Sequence, residues 1–170
     1  ALKLGLLFKS LKKISFSLRK TVLSHGWVNL PPYSYDYKNN VLIRTEYVNG
    51  NLTELFISQK DNQLTVKIKS KDKLDTFTKN EIKKKIQNIF QLSVDLNEFC
   101  ALTKKTNKRI NNYIKAGGGR FLTGNSLFED VVKTLFTTNT TWNQTVNMTE
   151  NFISQFNKIK YGEPTIYGFP

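Results

Sequence analysis

The sequence lacks the residues on which several classes of small protein depend. Its 170 residues include one cysteine, Cys100, and one histidine, His25. An internal disulfide needs a second cysteine, and a structural zinc site needs a larger set of cysteine and histidine ligands, so both kinds of scaffold are excluded. No apolar run approaches the roughly 18 residues that a membrane-spanning helix needs. We therefore expect no metal, no cofactor and no membrane as a partner.

Acidic residues are the other shortage. The chain has 13 Asp and Glu against 26 Lys and Arg, which gives a formal net charge of +13 at pH 7, and no acid precedes Asp36. Such a charge attracts polyanions, chiefly by neutralising phosphates and releasing their counterions. With 39% hydrophobic residues the chain can bury a core, so intrinsic disorder is not expected. Nucleic acid is the expected partner.

The first residues combine lysines with leucines and phenylalanine. Organelle targeting peptides and membrane-surface helices have a similar composition. Here the basic stretch runs directly into a patterned segment, without a small-residue cleavage site. We therefore interpret residues 1–13 as a basic N-terminal arm or an edge element.

Alternating residues predict an antiparallel sheet in the first half of the chain. Val41–Val48 reads as a strand, and the following Asn49-Gly50 favours a type I′ turn into a second strand. Asp61-Asn62 marks another hairpin. Tyrosines alternate over residues 33–37, although Pro31-Pro32 confines that strand to a start or an edge. We predict four or five strands with one buried face, whose inward residues include Leu55, Ile57, Leu64, Val66 and Ile68.

The hydrophobic period becomes that of a helix from Lys79 onward. Three lysines, residues 83–85, lie opposite its apolar stripe and are interpreted as a solvated face. Asp95 and Asn107 can cap two further short helices. Cys100 lies on the apolar stripe of the first of these, together with Phe99 and Leu102, and is expected to be a buried, inert thiol. The apolar stripe of the helix after Lys79 consists of Ile82, Ile86, Ile89 and Phe90.

Two capping boxes predict a pair of helices joined by a short loop. Ser126 and Glu129 begin the first helix, and Thr141 and Gln144 begin the second. The polar loop between them places Asn139 at the tip of an αα-hairpin. The first helix carries a wide apolar stripe, which we expect to be buried on most sides: Phe128, Val131, Val132, Leu135 and Phe136.

The segments GGGRFLTGNSLFEDVVKTLFTTNTTWNQTVNM, which ends at Met148, and FSLRKTVLSHGW, Phe16–Trp27, carry a family resemblance. The chain resembles the N-terminal half of helix-hairpin-helix (HhH-GPD) superfamily DNA glycosylases, in particular 8-oxoguanine and 3-methyladenine (alkylpurine) glycosylases. The resemblance implies an α+β fold, in which an antiparallel, TBP-like sheet domain with a packing helix spans residues 14–90. Residues 91–170 would then form the first part of an all-helical glycosylase domain.

The resemblance also implies a function. Enzymes of this kind flip a damaged purine out of duplex DNA and hydrolyse its N-glycosidic bond during base excision repair. In the family the loop between the two capped helices fills the opened duplex, and Asn139 matches that position, with Thr138 and Thr140 beside it. Arg120 and Trp142 are further candidate DNA contacts. Each of these three residues also has an alternative role without DNA contact: Asn139 as a turn residue, Arg120 as a solvated side chain and Trp142 as a packing residue.

Several parts of the family pattern are missing from the sequence. The L-P-G-x-G type hairpin is not found, nor is the catalytic aspartate, nor the lysine of the members that also act as lyases. We expect these beyond Pro170, so the chain alone is predicted to be an inactive fragment with no catalytic residue. Glu129 and Asp130 are explained by helix capping and the helix dipole. The whole enzyme is expected to be an intracellular monomer.

Two other classes of function remain open. A non-enzymatic nucleic-acid-binding module could stack bases on a basic sheet through Tyr33, Tyr35, Tyr37 and Tyr47. A secreted or surface protein could carry glycans, since four asparagines fit the acceptor pattern: Asn51, Asn139, Asn143 and Asn147.

Overall fold

The computed structural model describes residues 2–8, 16–61, 63–161 and 168–170. An antiparallel sheet comes first in the chain and helices follow, which confirms the predicted α+β class. The strands lie in the order β1-β5-β4-β3-β2, and every neighbouring pair is antiparallel. The strands are β1 (Leu2–Phe8), β2 (Tyr33–Asp36), β3 (Val41–Val48), β4 (Asn51–Lys60) and β5 (Gln63–Ser70).

The turn between β3 and β4 has the predicted conformation. Asn49 and Gly50 both have positive φ, at 50° and 78°, as the two central residues of a type I′ turn require. Val48 is paired with Asn51 directly across this turn. The hairpin register therefore follows from the turn chemistry, and it places Leu55 and Ile57 on the buried face.

Both edges of the sheet agree with interpretations made from the sequence, since residues 1–13 were interpreted as a basic arm or an edge element. Residues 2–8 of the predicted basic arm form β1, which pairs with β5 from Leu2 opposite Ser70 to Phe8 opposite Leu64. Residues 9–13 of the predicted arm lie outside the described residues. At the other edge, β2 follows Pro31-Pro32 as expected.

One face of the sheet is covered by α1 (Leu18–Val22) and α2 (Thr76–Ile89). α2 begins before Lys79, because the Asp75 carboxylate accepts a hydrogen bond of 2.7 Å from the Thr78 N–H. The predicted apolar stripe of this helix is buried in the main core, which confirms that part of the prediction. The core also contains Leu18, Val22, Leu42, Leu55, Ile57, Val66 and Ile68.

The helical region consists of α3 (Asn97–Thr106), α4 (Lys108–Lys115), α5 (Leu127–Phe136) and α6 (Trp142–Tyr161). Asn107 caps α4 as predicted, accepting from the Ile110 N–H at 3.0 Å. Asp95 instead lies one residue ahead of the α3 N-cap and accepts from the Asn97 N–H. The apolar stripe of α3 is not buried, since Phe99 and Leu102 are exposed and Cys100 is only half-buried. In the part of the chain that the structure describes, no helix is long and apolar enough to cross a membrane.

Candidate functional site

The loop between α5 and α6 is held by its own threonines. The hydroxyls of Thr137, Thr138 and Thr140 donate to the last carbonyls of α5, at 2.6, 2.7 and 2.6 Å. These bonds satisfy carbonyl groups that the end of a helix otherwise leaves without partners. The loop is therefore closed onto the end of α5, although it lies at the surface.

The start of α6 is fixed by the predicted capping box. The Gln144 Oε1 atom accepts from the Thr141 N–H at 2.8 Å, and the Thr141 Oγ1 atom accepts from the Gln144 N–H at 3.4 Å. Thr145 also donates its hydroxyl to the Phe136 carbonyl at 2.9 Å, which joins the two helices directly. The hairpin is thus a defined unit on both sides of the loop.

Asn139 lies at the tip of this hairpin, as predicted. It has a left-handed backbone with φ of 53°, and its side chain is exposed. Within the described ranges its amide has no hydrogen-bond partner, whereas the neighbouring threonine hydroxyls are all engaged. Asn tolerates the left-handed region well, so the turn conformation and a free side-chain amide occur together here. The amide can donate to and accept from a ligand.

A group of half-exposed rings lies beside the start of α6. The Trp142 ring, 40% exposed, packs against Gly26: a Cβ placed on that glycine would lie 3.4 Å from the ring. The His25 ring stacks on Trp27 with centroids 5.6 Å apart, and it meets the edge of Phe121 at 5.5 Å. We call His25, Trp27, Phe121 and Trp142 the aromatic cluster.

In the aromatic cluster Trp142 packs against Gly26 and is still partly exposed, so the two alternatives for it, packing and contact with DNA, do not exclude each other. The other members of the cluster are functional candidates that the sequence reasoning did not nominate. They come from segments about 95 residues apart in the chain, and only the tertiary fold brings them together. A local signal did exist, since His25 and Trp27 flank Gly26, which has a positive φ of 88°.

The histidine in the aromatic cluster is held neutral at pH 7. Burial lowers the pKa of His25, and the nearby Asp130 carboxylate opposes this shift only in part. The imidazole Nδ1 atom lies 2.7 Å from the Ser24 hydroxyl. Burial also raises the pKa of Asp130, whose carboxylate accepts from the Gly124 N–H at 2.6 Å. A neutral imidazole can both donate and accept a hydrogen bond.

Charged side chains attach α5 to the sheet. Two nitrogens of the Arg44 guanidinium on β3 donate to the Glu129 carboxylate on α5, at 3.0 and 2.7 Å. Lys133, one turn further along α5, donates to the same carboxylate at 2.6 Å. All three side chains are at most 1% exposed. We call Arg44, Glu129 and Lys133 the ionic cluster.

Neighbouring groups complete the surroundings of the ionic cluster. Glu46 on β3 accepts from Arg44, and it also accepts from Lys85 and Asn125, each at 3.1 Å. Cations over aromatic faces are stabilised by the ring quadrupole. The Arg44 guanidinium carbon lies 4.4 Å from the centroid of the Tyr33 ring. The Lys133 ammonium lies between 5.1 and 5.6 Å from the ring centroids of Tyr33, Phe169 and Trp27.

The ionic cluster is charged at neutral pH. Burial alone would raise the pKa of Glu129, but Arg44 and Lys133 outweigh it and bring that pKa down to about 2. Burial lowers the pKa of Lys133 to about 8, although Glu129 opposes the shift. At pH 7 the carboxylate is therefore ionised and the lysine is protonated.

Glu129 does more than cap its helix, which corrects the sequence prediction. Its carboxylate accepts from the Asn125 N–H at 2.9 Å, and Ser126 accepts from the Glu129 N–H at 3.1 Å, so the local capping exists. The same carboxylate also forms the buried bidentate pair with Arg44, which lies 85 residues away. Local sequence cannot reveal a partner at that separation.

The apolar stripe of α5 is exposed, and the prediction that it is buried on most sides is wrong. Phe128, Val131 and Leu135 are 51%, 46% and 60% exposed, whereas Glu129 and Lys133 face inward. The helix is rotated with its charged side toward the sheet because Arg44 offers that side a buried counter-charge. Phe128 and Phe136 are partly covered by the rings of α6 and the chain end.

Arg120 has a structural position. Its side chain is buried, and its guanidinium donates to the carbonyls of Gln91 and, at 2.9 Å, Val94. The preceding glycines serve packing: a Cβ on Gly117 would lie 2.7 Å from the Ser17 backbone nitrogen. The DNA contact that the resemblance implied for Arg120 therefore has no support from this geometry.

The sheet does not present the predicted tyrosines as a stacking platform. Tyr33 is buried under the Arg44 guanidinium and donates its hydroxyl to the Thr123 carbonyl at 2.6 Å. Tyr35 packs edge-on against Tyr37, and the hydroxyl of Tyr47 donates to Asn157 on α6.

Among the described residues no group of three or more His, Cys, Asp or Glu could hold a metal ion.

Comparison with known proteins identifies the fold. The structure matches that of a 3-methyladenine DNA-glycosylase from Archaeoglobus fulgidus with a TM-score of 0.67 and 14% sequence identity. The match covers 100% of this chain but only 56% of the glycosylase chain. No protein-family model and no curated protein matches the sequence. The protein therefore has a DNA glycosylase-like α+β fold, and it spans little more than half the length of its structural neighbour.

Proposed function

We propose that this chain is the DNA-binding, duplex-opening part of a DNA glycosylase that acts in base excision repair. The observation that carries the proposal is Asn139, an exposed amide without a partner at the tip of a hairpin whose other loop side chains are engaged. The net charge of +13 supports binding to a phosphate backbone. Asn139 would enter the minor groove and contact the base left unpaired when its partner is flipped out.

An asparagine amide suits that role chemically. It carries two donors and one acceptor oxygen, so it can pair with the exposed edge of an orphaned base. A wedge must also be stiff, because it replaces stacking energy of a few kcal/mol per opened step. The threonine bonds to the end of α5 and the capping box of α6 supply this stiffness, with Thr138 and Thr140 flanking the wedge.

The aromatic cluster lies beside the start of α6 in the same hairpin. Half-exposed rings offer apolar faces on which a flipped purine can stack, and enzymes that act on bases read them by stacking and by hydrogen bonds. Because Ser24 engages the Nδ1 atom of His25, the Nε2 atom is the ring nitrogen that can donate or accept a hydrogen bond beside these faces. Trp142 would therefore contact the nucleotide, and Arg120 has no part in the site.

The reaction and the substrate of the whole enzyme are part of the same proposal. The enzyme would hydrolyse the N-glycosidic bond of an oxidised or alkylated purine as an intracellular monomer of the HhH-GPD kind. The L-P-G-x-G type hairpin of the family, the catalytic aspartate and any lyase lysine would lie outside residues 1–170, so this chain alone would bind DNA without cleaving it. The exposed apolar side of α5 would then be covered by further helices of the whole enzyme.

The proposal is tested by binding to two duplexes of the same sequence, one intact and one with an abasic-site analogue. We define the discrimination ratio as the affinity for the abasic duplex divided by that for the intact duplex. The chain should prefer the abasic duplex, and Asn139→Ala should lower the ratio by about tenfold, as expected from losing one to two hydrogen bonds. Asn147→Ala changes another exposed asparagine, on α6, and should leave it unchanged. A ratio near one for the unmodified chain, or stronger binding to single strands, would overturn the assignment.

A further inference from the structure

The two helices of the hairpin are both anchored on β3. Arg44 holds α5 through Glu129, while Tyr47, three residues later on the same strand, donates its hydroxyl to Asn157 of α6. Asn157 also donates to the Gly168 carbonyl at 2.8 Å, which ties the end of the chain to the same place. The orientation of the hairpin relative to the sheet is therefore set along one strand.

The attachment of α5 is ionic where that of α2 is apolar. Ile82, Ile86 and Ile89 bury α2 against the sheet, but α5 buries Glu129 and Lys133 instead and leaves its leucines exposed. Apolar contact is non-directional and tolerates small rotations. A bidentate guanidinium–carboxylate pair is directional, because two parallel hydrogen bonds must both be satisfied.

The ionic cluster lies on α5 at some distance from the Asn139 loop, so a small change in the angle of the helix at the cluster displaces the loop. Glu129 lies seven residues before Phe136, the last residue of α5, which corresponds to about 10 Å along the helix. A tilt of about 10° at the cluster would move the end of α5, and the loop that follows it, by about 2 Å over that length. A displacement of that size is enough to take an amide out of hydrogen-bond reach of a base edge.

We propose that the ionic cluster of Arg44, Glu129 and Lys133 is a positioning device that sets the angle at which the Asn139 loop meets DNA. This inference rests on the proposed function. A buried ion pair is weak evidence for stability, because well-packed apolar residues often replace one at little cost. The directionality of the Arg44–Glu129 pair is what fixes the angle of α5. Arg44 and Lys133 are therefore positioning residues that act through Asn139, without touching the nucleic acid.

The test substitutes Arg44→Lys, which keeps the charge and removes the two-point fork. Arg19→Lys is the matched control, the same chemical change at an exposed arginine. The readout is the discrimination ratio, because a loss of folded protein weakens binding to both duplexes equally and cancels. Arg44→Lys should lower the ratio toward the value of Asn139→Ala, by up to about tenfold, because a displaced amide loses the same one to two hydrogen bonds. Arg19→Lys should not change it.

A double substitution separates positioning from independent effects. If Arg44 acts through the loop, Arg44→Lys should have no further effect on the ratio in the Asn139→Ala background. Two results would overturn the inference while leaving the proposed function intact. One is a ratio in the double variant that is lowered by the product of the two single effects, and the other is an unchanged ratio in Arg44→Lys. If the unmodified chain does not discriminate, both fail. Should Arg44→Lys not fold, Lys133→Met is the second variant, because it removes the other cation that holds the Glu129 carboxylate and replaces it by an apolar chain of similar length. It should also lower the ratio, and an unchanged ratio would overturn the inference.

Discussion

The ionic cluster gives the protein an acid-sensitive component of stability that one substitution should remove. The pKa of Glu129 falls from an ordinary 4.5 to about 2 in the folded chain. A carboxyl group whose pKa is depressed on folding adds stability above its unfolded pKa and loses it as the pH falls toward the folded value. The shift corresponds to about 3 kcal/mol, of which about 2 kcal/mol is lost by pH 3.

The Glu129→Gln variant removes this titration. At pH 6 it should be less stable than the unmodified chain by about 3 to 5 kcal/mol, since Lys133 loses its buried counter-charge and Arg44 keeps only Glu46. The difference should shrink by about 2 kcal/mol at pH 3, where the native carboxylate has already lost most of its advantage. Urea unfolding at the two pH values measures the difference in the free energy of unfolding between the variant and the unmodified chain. The titration of every other carboxylate contributes equally to both chains and cancels in this difference. Glu81→Gln, at a carboxylate in an exposed pair with Lys84, should show no such narrowing. An equal difference at both pH values would refute the reasoning.

Two further predictions concern residues that the structure assigns to packing. Gly117→Ala should destabilise the chain by about 2 to 4 kcal/mol, because its φ is +86° and its Cβ would meet the Ser17 backbone. Gly50→Ala, also left-handed but with nothing within 4 Å, should cost about 1 kcal/mol in the same urea unfolding, and equal costs would contradict the packing argument. Arg120→Met should lower stability by about 2 to 3 kcal/mol through the lost bonds to the Gln91 and Val94 carbonyls. It should leave the discrimination ratio unchanged, and a lowered ratio would return Arg120 to the DNA site.

Local chemistry made the hairpins and helix starts predictable from sequence. The Asn49-Gly50 turn, the Asn107 cap and the box at Thr141 each depend on side chains within three or four residues of the backbone they serve. The inward residues of the sheet followed from period-two alternation, and Leu55 and Ile57 are fully buried.

Long-range electrostatics made the orientation of α5 unpredictable from its own sequence. A stripe of Leu, Val and Phe on one side of a helix normally marks the buried face. Here Arg44, brought in by the sheet, places a buried cation opposite Glu129, and the carboxylate has to face it. The aromatic cluster escaped prediction for a similar reason, because His25 and Phe121 meet only in the folded chain.

The rotation of α5 links the fold to the proposed site. If the helix had followed its hydrophobic pattern, its leucines would pack on the sheet and its orientation would depend on non-directional contacts. Instead, the same strand that buries Arg44 also bonds α6 through Tyr47, so the hairpin is fixed along both of its helices. The tip can then present a single free amide, Asn139, while the threonines around it close the end of α5. The strongest departure from the sequence pattern thus lies in the helix that leads to the proposed wedge, and such departures concentrate at functional sites.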